Sequence, residues 1–259
     1  MKCILLFILF ICPVYAFAQE SLDGLDGYSH GIIPEKAEII IQSYPEQKLK
    51  YVDNYIIFPD GSSIIFDDGL AKDYSTMLDK SDIEDMFSMQ YYKDGNPSYL
   101  QDAGRSRCES FFKRMYGENA RDVKRNLVSV AWFGETIKFT KINGASEQLK
   151  KVEEEIRLNH PNLIPYMKSS GTFNWRKVRG ANRLSSHSYG IAIDIAIKQS
   201  DYWRWDNPKA KETDEIIYKN RIPMELVEVF EKYGFIWGGR WYHYDTMHFE
   251  YRPEILFLK

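Results

Sequence analysis

Residues 183–198 read RLSSHSYGIAIDIAIK, and from Ile191 to Ile197 the alternation is strict. Ile191, Ile193, Ile195 and Ile197 point one way; Ala192, Asp194 and Ala196 point the other. A period of two is the signature of a strand with one face on a core. The isoleucine face supplies the core contact. The opposite face sets one carboxylate between two alanines, where a solvated face ordinarily carries Lys, Thr or Glu. Small neighbours leave room beside Asp194 for a ligand or a metal ion. His187 lies seven residues earlier, roughly 23 Å away if the chain were extended. The two side chains meet only if the chain turns between them, and Gly190 gives it that freedom. Histidine and carboxylate suit a borderline cation such as zinc.

A second cluster, WGGRWYHYDTMHFEYRPE at 237–254, holds two of the five histidines, His243 and His248, beside Asp245 and Glu250. Gly238-Gly239 predicts a tight turn leading into it. In an extended stretch His248 and Glu250 share a face. A catalytic zinc needs three protein ligands and one open position. His187, Asp194 and a histidine of this cluster complete such a set, and a nearby carboxylate can take a proton from water.

The rest of the chain frames these segments. Its 259 residues are 44% hydrophobic and 27% charged, a globular composition. A formal net charge of −3 disfavours a basic nucleic-acid binder. Lys2, the apolar run Cys3–Cys12, Pro13 and Ala16-Phe17-Ala18 read as a signal peptide, 1–18, cleaved before Gln19. The run is too short to span a bilayer, and no later one is long enough. Cleavage removes Cys3 and Cys12. Cys108 then stands alone, read as a small buried hydrophobe without a disulfide. The mature protein is therefore expected in the periplasm or outside the cell, with no transmembrane anchor.

Residues 19–35 read as a loose leader, and 19–103 as an N-terminal extension holding a small α+β unit. Within it, 38–42 suit a short strand, and Tyr55–Phe58 with Ile64–Phe66 form a hairpin around Pro59-Asp60-Gly61. Ser81 to Glu84 matches a capping box opening a helix through about Tyr92. From 104 onward the spacing predicts helices over 110–116, 146–158 and from Pro223 to Tyr233. Leu127–Phe133 and Ile137–Thr140 read as paired strands. The fold class is α+β: a mostly antiparallel sheet with packed helices, a cation held at its exposed face.

Taken together, Ser185-x-His187-x-x-Gly190-x-Ala192-x-Asp194 and Asp245-x-x-His248-Phe249-Glu250 resemble the M15 zinc peptidases, which include D-Ala-D-Ala carboxypeptidases and L-Ala-D-Glu endopeptidases. Phe173-Asn174-Trp175-Arg176-x-Val178-x-Gly180 resembles the segment that precedes the histidine motif in the endopeptidase-like branch, and Trp237-Gly238-Gly239 with Trp241 the approach to the last histidine. The likeness runs from about 104 to 259 and does not reach 19–103. It implies the family's hedgehog/DD-peptidase-like catalytic domain and one Zn²⁺ held by His187, Asp194 and His248. It implies Asp245 as the acid/base, Arg176 as the holder of substrate or oxyanion, and Ser185 as a supporting polar residue. The implied substrate is the peptidoglycan stem peptide. No role carries over to His243, read as rim or structure; Glu250 is read as orienting His248. The alternative from another class is a non-catalytic zinc-dependent binding module, against which Asp245 speaks, since a binder needs no base there.

Overall fold

The computed structural model describes residues 33–257; the stretch expected to be a signal peptide and most of the expected leader, 1–32, lie outside the described residues. The described chain forms three antiparallel sheets rather than one, with helices between them. Among the described residues no helix is long and apolar enough to cross a membrane.

The first helix, α1 (Glu35–Ser43), stands where residues 38–42 predict a strand. Ala37, Ile40 and Tyr44 are all fully buried at i, i+3, i+7 spacing, which only a helix brings onto one side. Glu35 and Glu38 lie in its first turn, where the helix dipole favours negative charge. The hairpin forms as the turn residues require: β1 (Lys50–Val52), β2 (Tyr55–Ile57) and β3 (Ser63–Ile65) make a three-stranded meander. A short helix α2 (Tyr74–Asp79) follows, capped by the Asp73 side chain on Thr76 N–H.

The helix expected over 81–92 shrinks to one 3₁₀ turn at Glu84–Phe87. Its cap is shifted by one residue: Asp85 N–H donates to Asp82 Oδ1 at 2.9 Å and Asp82 N–H to Asp85 Oδ2 at 3.0 Å. Beyond the turn Phe87, Met89 and Tyr91 are buried while Ser88 and Gln90 are exposed. That alternation belongs to extended chain, so the helix stops.

The predicted helices at 110–116 and 146–158 appear as α3 (Glu109–Tyr116) and α5 (Ala145–Asn159), with α4 (Ala120–Arg125) between them. Leu149, Val152 and Ile156 face the core from α5. β4 (Leu127–Trp132) and β5 (Glu135–Thr140) pair as a two-stranded hairpin.

The four-stranded sheet positions the site. Its order is β6 (Ser169–Gly171), β7 (Ala192–Ile195), β9 (His248–Tyr251), β8 (Phe235–Trp237). Register pairs Ala192 with Glu250, Ile193 with Phe249 and Asp194 with His248. Residues directly opposite in an antiparallel pair point to the same side. Ile193 and Phe249 therefore enter the core, where Phe249 stacks on Phe230 of α7 (Met224–Lys232) at 4.0 Å between centroids. Asp194 and His248 share the other face. The short α6 (Trp203–Asp206) and α8 (Pro253–Phe257) complete the order.

The isoleucine alternation ends earlier than expected. Ala196 adopts a left-handed φ of 52°, and Gln199 N–H turns back onto its carbonyl. Ile197 is consequently half exposed instead of in the core. The face beside Asp194 is not open along its length either, because opposite Ala192 stands the fully buried Glu250. One hydrophobic core joins Ile40, Tyr44, Ile56 and Phe66 to Phe111, Ile193 and Phe249. Cys108 is a free thiol in that core, and burial pushes its pKa up.

Candidate metal centre

The turn that brings His187 to Asp194 is a single 3₁₀ turn, Ser186–Tyr189, closed by Gly190 in the left-handed region at φ 69°. That left-handed φ is what calls for glycine here; a Cβ at Gly190 would also press on the end of the Leu127 side chain, 2.5 Å from Cδ2. The second glycine-dependent element is Gly238–Arg240, another 3₁₀ turn. A Cβ on Gly238 would meet the Asp245 carbonyl at 2.5 Å, so the backbone of Asp245 rests directly on this glycine. Asp245 N–H donates to Gly238 O at 3.0 Å and His248 N–H to Asp245 O at 3.1 Å.

Three side chains converge here. Asp194 Oδ1 is 3.1 Å from His187 Nε2 and 2.9 Å from His248 Nδ1. The ligand atoms of the three all lie within 4.8 Å of one another. Donor atoms around a tetrahedral zinc sit about 3.3 Å apart, so the three donors are within reach of one small cation. The far side of each imidazole is already fixed. His187 Nδ1 donates to the Thr172 carbonyl, which leaves Nε2 turned toward Asp194. His248 Nε2 lies 3.1 Å from both Glu250 Oε2 and Ser186 Oγ, which leaves Nδ1 turned inward. Outer partners of this kind hold metal-binding histidines in one tautomer.

The electrostatics match. Burial alone would depress the His248 pKa, but its bonds to the Asp194 and Glu250 carboxylates push it up to about 10. Burial would raise Asp194, yet the two imidazoles outweigh it and hold the carboxyl far below its ordinary range. A site that so favours positive charge between its groups is suited to a cation.

Asp245 behaves oppositely. Its carboxyl is pushed up to about 7, first by burial and then by the Asp194 charge. Its Oδ1 is sealed from solvent with no hydrogen-bond partner. It lines the same cleft of about 320 Å³ as His187, Asp194 and His248. A half-buried carboxylate poised near neutrality beside a cation site has the properties of a general base.

Arg176 and Ser185 sit on one hairpin-like loop, in which Lys177 pairs with Leu184. Both line the cleft. Arg176 is exposed at the rim, and among the described residues its guanidinium has no carboxylate partner; it donates only to Lys177 O at 3.4 Å. Ser185 is buried, its N–H donating to Arg176 O at 3.0 Å. The hydroxyl that touches a histidine of the triad belongs to the next residue, Ser186. No feature of the sequence distinguishes the two serines. Arg105, Arg107, Arg179 and Arg183 also line the cleft; the sequence marks them only by their clustering at 105–107 and 179–183.

His243 is fully interior. Its Nδ1 is 2.7 Å from Asp102 Oδ2, and Asp102 also accepts from His243 N–H at 2.9 Å and Arg105 Nη1 at 3.1 Å. It forms the cleft wall and takes no place in the triad. Burial pushes the Asp102 carboxyl up, but the Arg105 charge and the His243 bonds outweigh that and hold it well below its usual range. Glu250 is depressed in the same way, by Arg107, His248 and Arg252 against burial. A carboxyl depressed in the folded state contributes stability above its unfolded value, about 4, and loses it as pH falls. Stability should therefore hold from pH 7 to about 5 on this account and fall steeply below about 4. Urea unfolding at stepped pH measures it; an Asp102→Asn variant with the same acid slope as wild type would refute the assignment.

Comparison with family models matches residues 179–251 to the M15 family described as D-alanyl-D-alanine carboxypeptidase. Comparison with curated proteins returns no match. The matched stretch contains His187, Asp194, Asp245, His248 and Glu250, and stops short of Arg176. Through this stretch, and the cleft it builds, the chain is similar to the peptidases of the M15 family.

Proposed function

We propose that the chain is an exported zinc peptidase that hydrolyses peptide bonds in peptidoglycan stem peptides. The observation that carries this reading is the convergence of His187, Asp194 and His248 on one point with the unpartnered Asp245 carboxyl in the same cleft. His187 Nε2, Asp194 Oδ1 and His248 Nδ1 would hold the ion. Zinc, when bound, supplies a Lewis acid for the scissile carbonyl and a more acidic water.

The chain's own residues supply the rest. Asp245 accepts the proton of the attacking water and delivers it to the leaving amine nitrogen. Arg176, at the rim, sets positive charge against a substrate carboxylate or the oxyanion. Ser185 lines the same wall. Thr172 O and Glu250 keep the two imidazoles facing inward. The arginines along the cleft suit a peptide rich in carboxylates, as the stem peptide is. The signal peptide at 1–18 would deliver the chain to the periplasm or outside the cell. Residues 19–103 then serve as a layer on the catalytic unit of 104–259.

Two bonds are open to such a site, L-Ala-D-Glu and the terminal D-Ala-D-Ala. The Phe173–Gly180 segment favours the first. Product analysis on a defined muropeptide decides it: a shortened or released stem peptide marks the endopeptidase, and free D-Ala the carboxypeptidase. Neither product, from zinc-loaded protein, would overturn the peptidoglycan substrate.

A further inference from the structure

Behind His248 runs a line of buried polar groups of which the catalytic reading uses only the first, Glu250. Glu250 presents Oε2 to His248 Nε2 at 3.1 Å and takes Arg252 Nη1 on Oε1 at 3.1 Å. Arg252 Nη1 also donates to Gly104 O at 2.9 Å, and its Nε donates to Glu254 Oε1. Glu254 gives its other oxygen to the Tyr44 hydroxyl. Glu250, Arg252, Glu254 and Tyr44 are all fully buried. Each carboxylate spends one oxygen on each neighbour, so each link fixes the orientation of the next.

Stability is a weak reason for such a chain. Well-packed apolar residues of similar volume commonly replace a buried ion network at no loss. Its end point is a better reason. A carboxylate oxygen can only accept from the Nε2 proton, and that proton is what leaves Nδ1 free to face Asp194 and His187. The other end, Tyr44, follows α1 and lies far outside the matched 179–251 stretch.

We propose that Tyr44, Glu254, Arg252 and Glu250 act together as positioning residues for His248, so that the N-terminal segment helps set the affinity of the metal site. The proposal rests on the zinc reading above. The protein contains its own control. Tyr91, Glu231 and Arg240 form a similar buried set, with Tyr91 OH donating to Glu231 Oε1 at 2.7 Å and Arg240 Nε at 3.0 Å from the same oxygen. That set touches none of His187, Asp194 and His248.

The test is zinc affinity by chelator competition on the full mature chain, beside thermal unfolding. Tyr44→Phe removes a single hydroxyl and keeps the ring. It should weaken zinc binding about 10-fold, and Glu250→Gln up to about 100-fold, the range found for outer partners of metal-binding histidines. Tyr91→Phe, at a similar loss of Tm, should leave affinity unchanged. Wild-type affinity in Tyr44→Phe and Glu250→Gln would overturn the proposal. So would equal losses in Tyr44→Phe and Tyr91→Phe, which would mark general loosening. A wild-type chain that binds no zinc would instead remove the metal reading itself, and the proposal with it.

Discussion

Asp245→Asn is expected to lower kcat by about 10²- to 10⁴-fold, the range for losing a positioned general base. Zinc content should stay at the wild-type level, because Asp245 is outside the His187–Asp194–His248 triad. The folded state should lose nothing and is expected to gain. An Asp245 carboxyl held up to about 7 by burial and the Asp194 charge is a destabilised group, and its Oδ1 has no partner. A neutral amide of the same shape escapes most of that cost, the usual trade between stability and activity at a catalytic position. The sign of the pH dependence follows. A base must be unprotonated to work, so kcat/KM should fall on the acid side, at or below about pH 7, since a bound cation would draw the pKa down. Wild-type turnover in Asp245→Asn would remove Asp245 from the mechanism. A loss of zinc would mean that it binds the ion.

Arg252→Met should be the most destabilising single change near the site. Arg252 is fully buried and lies between Glu250 and Glu254, both fully buried too. Methionine fills much of the space but leaves Glu254 without its cation and Glu250 with only Arg107 and His248 to offset its charge. Breaking a buried pair from one side costs about 3–5 kcal/mol. For a chain of this size that lowers Tm by about 6–20 °C. Arg125→Met, at the exposed pair with Asp122, is the comparison and should leave Tm unmoved. A similar Tm for the two variants would show that the network behind His248 carries little energy.

The parts of this architecture that the sequence discloses are those with strict local chemistry. The run from Ile191 to Ile195 shows its strand because burial of one face imposes a period of two, and register then sets Asp194 opposite His248. Gly190 shows its turn because a left-handed φ favours glycine, and Gly238 because a backbone carbonyl lies where a Cβ would be. Residues 110–116, 146–158 and 223–233 show their helices through spacing and terminal glycine or proline. The misread elements share a different cause. In α1, three consecutive isoleucines read locally as a strand, whereas the deciding contact is Ala37, Ile40 and Tyr44 on a distant core. At 82–85 two aspartates cap each other, and the following alternation is visible only once burial is known. Thr172 is invisible as a partner of His187, because a backbone carbonyl has no side-chain signature. Arg107 and Arg252 look like any surface arginines until the fold buries both beside Glu250.

The central claim, that His187, Asp194 and His248 form one zinc site, is tested most directly by metal content. The chain from Gln19 onward, purified without chelator, should carry about one zinc. His187→Ala, prepared in parallel, should carry none, since two remaining donors do not make a stable site. Wild-type protein without zinc, silent on a muropeptide after zinc is added back, would contradict the account.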